Sequence, residues 1–416
     1  MVQRVCLVSG GTGGHLMPAM VLARAMQASG HEPVMVTEGR DVERELLRRQ
    51  LPDVCGVELP AASRSRIALP LWVLRATAAA RRILRDKQVD CVVSTGGRPS
   101  VPVALAARSL GMPVYLLEQN AVTGRANRLL APLAKRIYHG LPSDAAASPR
   151  ALVTGTPLRP GIGRVERATA RAELGFAAAD RVVLVTGGSQ GAQALNRTVP
   201  VALAAAGRSL VAAGAAPGSG GAMLRAVHLA GLDRDADVRT RYAVSGSAVL
   251  ADVRTVATDM DRLFAAADLV VCRGGGTTVA ELCAVGRPAV IVPYPHHKDR
   301  QQLRNAEVLA RAGAAWIVEE SQLTAEGLAE LLHSLFAEPE RLRRMGDAAR
   351  GLLPGDAAGA ILRDMGLADG GLADGGLADG GLADGGLADG GLAVGALAGS
   401  GPAPGADADA RSGGRA

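Results

Sequence analysis

Twice in this chain an apolar run ends in a glycine pair and gives way to a helix-like stretch. Arg4-Val5-Cys6-Leu7-Val8-Ser9-Gly10-Gly11 opens the first half, and Arg181-Val182-Val183-Leu184-Val185-Thr186-Gly187-Gly188 opens the second. Unbroken apolar runs of this length suit strands buried on both faces of a parallel sheet. Glycines at their ends let the backbone turn tightly into a helix. Further runs at 34–37, 91–94 and 114–117 read as strands, and 19–29 and 41–50 as helices. The alternation predicts an α/β protein: two Rossmann-like domains with parallel sheets facing a cleft.

The expected first domain covers 1–158 and the second 164–337, with 338–353 packing back on the first. The linker falls near 155–164, where Pro157, Pro160 and three glycines interrupt the pattern. Residues 207–222, rich in Gly, Ala and Ser, read as a loop insertion. From 366 the unit Gly-Leu-Ala-Asp-Gly occurs five times, and 366–416 read as a disordered low-complexity tail.

The formal charge is +6, and residues 366–416 carry seven Asp against two Arg, which leaves +11 on the rest. A basic body suits an anionic partner such as a nucleotide, a phosphate, a nucleic acid or an acidic lipid. None of the five cysteines forms a CxxC pair, so they are expected to be free thiols of a reducing compartment. No signal peptide and no apolar run long enough to span a bilayer is visible, and the protein is expected to be cytoplasmic.

Three glycine-rich loops carry the chemistry. Gly10-Gly11-Thr12-Gly13-Gly14-His15 lacks the Lys-Ser/Thr of a phosphate-binding P-loop, and its spacing is not GxGxxG. A helix start after glycines still favours an anion or a sugar, and His15 stands at that start. Read alone, a capping or packing histidine is the plainer reading, and the surrounding glycines weigh against it. Gly187-Gly188-Ser189-Gln190-Gly191 is the second loop, with Asn196 one turn into its helix. The third is Gly274-Gly275-Gly276-Thr277-Thr278, with Glu281 one turn in, where a carboxylate can accept ribose hydroxyls. A solvated helix glutamate is the plainer reading of Glu281. Polar residues after two more strands, Glu118-Gln119-Asn120 and the run His296-His297-Lys298-Asp299-Arg300-Gln301-Gln302, also face the expected cleft.

In combination and order, these motifs, with Thr154-Gly155-Thr156-Pro157-Leu158-Arg159, resemble the MurG family over residues 1–353. That family comprises the N-acetylglucosaminyltransferases that convert lipid I to lipid II in peptidoglycan synthesis. The resemblance implies the two-domain GT-B arrangement, UDP-N-acetylglucosamine as donor, and neither a cofactor nor a metal. Thr12, Gly13, Gly14 and His15 would line the acceptor side and the transferred sugar, with His15 as the base. Asn120 would contact the sugar, and Arg159 and Ser189 would lie near the donor diphosphate. Ala257 would meet uracil through its backbone. Gly276, Thr277, Thr278, Val279, Ala280 and Glu281 would hold phosphate and ribose, with Gln301 and Gln302 on the sugar hydroxyls.

The implied acceptor is undecaprenyl-linked, so peripheral contact with the anionic cytoplasmic face of the inner membrane is expected, and no nucleic acid. A candidate membrane patch is Arg64, Arg66, Leu71, Trp72 and Arg75, where basic and apolar residues mix. An amphipathic helix facing the core is the plainer reading. Three departures from the family pattern stand at Arg98, Leu117 and Leu229. They put acceptor contacts in question and spare the donor motifs. Competing readings are a soluble natural-product glycosyltransferase, a UDP-N-acetylglucosamine 2-epimerase and an inactive nucleotide-binding homologue. The oligomeric state is left open.

Overall fold

The computed structural model describes residues 1–10, 13–61, 68–188, 190–212, 223–246 and 248–368. Thr12, Ser189, Arg64, Arg66 and the tail from 369 lie outside the described residues.

Among the described residues, seven strands form the first sheet: β1 (Arg4–Val8), β2 (Glu32–Thr37), β3 (Cys55–Glu58), β4 (Cys91–Ser94), β5 (Val114–Glu118), β6 (Arg136–His139) and β7 (Ala151–Val153). Six form the second: β8 (Arg181–Thr186), β9 (Leu224–Leu229), β10 (Leu250–Arg254), β11 (Leu269–Cys272), β12 (Ala289–Ile291) and β13 (Ala315–Ile317). All pairings are parallel, in the orders β3-β2-β1-β4-β5-β6-β7 and β10-β9-β8-β11-β12-β13. The central strands are apolar because helices cover both their faces; Leu7 and Val8 of β1 and Leu184 and Val185 of β8 are fully buried. In each sheet the order reverses beside the first strand, between β1 and β4 and between β8 and β11. Such a switch point opens a crevice at the carboxyl ends of the strands, where doubly wound folds bind ligands.

Several boundaries differ from expectation. The segment 338–353 stays with the second domain. Gly346 of helix Pro339–Arg350 lies so close to Gly286 that a Cβ would stand 2.6 Å from its carbonyl oxygen, and Arg350 Nη2 donates to Val285 O at 2.9 Å. The segment that returns to the first domain comes later, in helix Ala357–Asp364. Its Ile361 and Leu362 enter the first core, and Asp364 accepts from Arg136 Nη2 at 2.9 Å and Tyr138 Oη at 2.8 Å.

The start of the expected tail is also part of the fold. Leu367, in the first Gly-Leu-Ala-Asp-Gly unit, is buried in that core, and its carbonyl accepts from His31 Nε2 at 2.7 Å. Residues 207–212 of the expected insertion are helical, within helix Gln193–Ala212. Gly207 serves close approach there, since a Cβ would stand 2.5 Å from Ala248 O.

Trp72 is likewise not on the outside. Helix Leu69–Asp86 turns Trp72, Ala76, Ala80 and Leu84 inward at four-residue spacing, and the indole N–H donates to Pro60 O at 2.9 Å. Leu71 and Arg75 are exposed. All five cysteines are free thiols; Cys55 is exposed, and burial pushes the other four up, which makes them unreactive.

Candidate active site at the cleft

The loop at the carboxyl end of β5 meets the second domain: a Cβ at Gly276, after β11, would stand 2.5 Å from Gln119 O, and Ala121 N–H donates to Asn305 Oδ1 at 2.8 Å. His15 stands near the start of helix Gly13–Ala28. Its Nδ1 lies 2.8 Å from Thr95 O and 3.2 Å from Gln119 Oε1. Both oxygens can only accept, so Nδ1 donates, and in the neutral ring Nε2 is the nitrogen with the lone pair. The arrangement is braced from both sides: Thr95 Oγ1 donates to His15 O at 3.0 Å, and Gln119 Nε2 donates to Thr95 O at 3.0 Å. A half-buried imidazole with one free acceptor nitrogen has the form of a general base.

Glu118, fully buried at the end of β5, shapes the next loop. Its carboxylate accepts from Asn120 N and Nδ2, Gly124 N and Asn127 Nδ2 at 2.8–3.2 Å. Asn120 is left half-buried at the cleft. It meets the second domain through Asn305, whose Nδ2 donates to Asn120 Oδ1 at 3.0 Å.

On the second-domain side, helix Gly276–Val285 points its N-terminus at the cleft. Val279 N–H is already bonded to Gly275 O, and the side chains of Val279 and Ala280 are in the core. Gly276, Thr277 and Thr278 therefore offer the unpaired amides of the first turn, suited to phosphate oxygens. Gly276 must be glycine: a Cβ would stand 2.5 Å from Gln119 O and 2.8 Å from Asn120 Oδ1.

Glu281 is buried, and Arg159 Nη2 donates to its Oε1 at 3.2 Å. Burial pushes the Glu281 carboxyl up, while the Arg159 guanidinium opposes that shift. The two residues expected at ribose and diphosphate are thus neighbours. Gln301 and Gln302 open helix Gln301–Arg311, and Gln302 Oε1 accepts from Tyr294 N at 2.9 Å, which leaves its Nε2 to donate. Ala257 is half-buried, three residues after β10.

The loop after β8 also depends on close approach. Gly191 has φ +66°, and a Cβ there would stand 2.0 Å from Ala230 O. The same carbonyl accepts from Asn196 Nδ2 at 2.9 Å. Asn196 Oδ1 then faces His228 Nε2 at 3.1 Å, and Tyr242 Oη lies 3.1 Å from His228 Nδ1. His228 is wholly buried, so it supports this loop rather than lining the cleft. Leu117 is a core residue of β5, and Arg98 lies 3.4 Å from the largely buried Glu38, which Arg40 also pairs at 2.6 Å.

Sequence reasoning missed Thr95, Gln119 as a partner of His15, and Asn305. Asn305 had one local signal: it follows Gln301 and Gln302 by about one turn of the same helix.

Residues 5–139 match the glycosyltransferase family 28 N-terminal domain, and residues 182–357 match its C-terminal domain. A UDP-N-acetylglucosamine--N-acetylmuramyl-(pentapeptide) pyrophosphoryl-undecaprenol N-acetylglucosamine transferase of Stutzerimonas stutzeri is 38% identical over 371 residues, 87% of this chain and 98% of the relative. The crystal structure of Acinetobacter baumannii MurG superposes with a TM-score of 0.72 at 30% identity, covering 88% of this chain and 99% of that one.

The chain belongs to the MurG family.

A Neisseria meningitidis UDP-GlcNAc 2-epimerase structure, bound to UDP-GlcNAc, superposes with a TM-score of 0.57 at 14% identity over 87% of this chain and 99% of its own. That likeness is one of fold. MurG membership makes the chain a UDP-sugar-dependent N-acetylglucosaminyltransferase and does not favour the epimerase, natural-product or inactive readings.

Proposed function

We propose that this MurG-family chain transfers N-acetylglucosamine from UDP-N-acetylglucosamine to the 4-hydroxyl of N-acetylmuramic acid in undecaprenyl-pyrophosphoryl-MurNAc-pentapeptide, converting lipid I to lipid II. The observation that carries the chemistry is His15, whose Nδ1 is held by Thr95 O and Gln119 Oε1 so that Nε2 is the ring nitrogen left for the acceptor. The acceptor hydroxyl gives its proton to Nε2 as its oxygen attacks the anomeric carbon. The bond from that carbon to the diphosphate breaks, UDP leaves with the electron pair, and the anomeric centre inverts. Negative charge gathers on the diphosphate. The free amides of Gly276, Thr277 and Thr278 and the Arg159 guanidinium suit that charge, and Glu281 suits the ribose hydroxyls. Gln302 Nε2 and Asn120 suit the sugar. Incubation with UDP-N-acetylglucosamine, with and without a lipid I analogue, tests the reading: UDP release should require the acceptor.

The acceptor's lipid places the enzyme against the cytoplasmic face of the inner membrane. No helix among the described residues is long and apolar enough to cross a bilayer. Leu69, Leu71 and Leu74 are exposed on helix Leu69–Asp86, as is Leu105 on the adjoining helix Ser100–Ser109. Arg75, Arg82 and Arg85 are exposed on the same helix as the first three. Apolar and cationic groups together suit an anionic lipid surface. Co-sedimentation with anionic vesicles should weaken when Arg75, Arg82 and Arg85 become Glu, and hardly change with neutral vesicles. Unchanged binding to anionic vesicles would remove this face from the account.

A further inference from the structure

One side chain, Asn305, ties the two halves of the cleft together. It is fully buried in helix Gln301–Arg311. Backbone groups fix its amide. Ala121 N–H donates to Oδ1 at 2.8 Å, and Nδ2 donates to Gly274 O at 2.9 Å. An N–H can only donate and a carbonyl can only accept, so the amide has one orientation. The second Nδ2 hydrogen goes to Asn120 Oδ1 at 3.0 Å. That in turn fixes Asn120, whose Nδ2 donates to Glu118 Oε1 at 3.1 Å and keeps one hydrogen spare. Asn305 has no hydrogen left for a ligand, so any influence on the sugar passes through Asn120.

We infer that Asn305 is a positioning residue for sugar transfer: it presents the spare Asn120 N–H to an oxygen of the transferred sugar and clamps residues 118–120 onto the start of helix Gly276–Val285. The contact is close enough to exclude a Cβ at Gly276. The same stretch supplies Gln119 Oε1 to His15 Nδ1, so one latch aligns the donor sugar and the base. The inference rests on the reading of Asn120 as a sugar contact.

The test is a double-variant comparison of Asn305→Ala, Asn305→Asp, Asn120→Ala and the two double variants. It measures kcat and KM for UDP-N-acetylglucosamine and, by calorimetry, affinity for UDP-N-acetylglucosamine and for UDP. Asn305→Ala should lower kcat/KM by about 10- to 100-fold, through loss of the Asn305–Asn120 bond and of the Asn120–sugar bond that it orients. Asn305→Asp still accepts from Ala121 but cannot donate, so it should follow the alanine variant. In the Asn120→Ala background either change should lower kcat/KM by less than about threefold, because residues acting as one unit are not additive. UDP affinity should fall less than UDP-N-acetylglucosamine affinity, because the spare Asn120 N–H faces the sugar while the phosphate amides belong to the backbone of helix Gly276–Val285 itself.

Losses that multiply in the double variants would overturn the inference. So would a wild-type-like Asn305→Asp, or UDP affinity that falls as far as UDP-N-acetylglucosamine affinity. If Asn305→Ala does not fold, the near-isosteric Asn305→Asp carries the comparison. If the wild type transfers no sugar, the functional reading fails, and the ratio of the two affinities still tests Asn305.

Discussion

Replacing His15 with alanine should lower kcat for N-acetylglucosamine transfer by about 10²- to 10⁴-fold, the usual contribution of a positioned general base. Affinity for UDP should hardly change, because the amides and side chains suited to the nucleotide belong to the second domain and the linker. The size of the effect follows from how His15 is held. Thr95 O and Gln119 Oε1 fix the tautomer, so Nε2 accepts a proton without reorganisation. His15→Gln offers no comparable base and should be as slow. Single-turnover rates at saturating donor and acceptor check this; near-wild-type turnover would mean that another group takes the proton.

Acidification should strip stability from the second domain through His228. Burial lowers its pKa from 6.5 to about 3, with Tyr242 and Asn196 as its hydrogen-bond neighbours. Below pH 6.5 the unfolded chain binds a proton that the folded one refuses. Stability is therefore full above that pH and falls by up to about 1.4 kcal/mol per unit as pH drops towards 3. Several kcal/mol is a large share of a domain's usual 5–15 kcal/mol, roughly.

His228→Leu isolates this contribution. It should be less stable at pH 7 by about 1–3 kcal/mol, because Asn196 and Tyr242 lose a partner. The gap to wild type should narrow as pH falls through 5 and 4. Trp316 in β13 reports on the second domain once Trp72 is changed to Phe. Urea midpoints of the two proteins that run parallel with pH would contradict the assignment.

The strands and glycine loops were legible for a physical reason. A strand covered on both faces must be apolar throughout, and a loop pressed against another backbone must be glycine, as Gly191 and Gly276 are. Of the family motifs, Gln119 and Asn120 lie against Gly276 across the cleft. Trp72 was not legible, because apolar residues lie on more than one side of helix Leu69–Asp86. Only the fold decides that Trp72 and Leu84 face in while Leu71 and Leu74 face out. The returning helix was misplaced because two neighbouring helices, Pro339–Arg350 and Ala357–Asp364, each offer an apolar face, and their partners lie far away in sequence. Asn305 shows the same limit: it acts on Asn120 across 185 residues, which no local pattern records.

The most direct test is to identify the product made from UDP-N-acetylglucosamine and a lipid I analogue by mass and by NMR of the new linkage. The account predicts one UDP per disaccharide, with N-acetylglucosamine β-linked to the muramyl 4-hydroxyl and no turnover without acceptor. An α-linkage, or UDP-N-acetylmannosamine formed in the absence of acceptor, would contradict it.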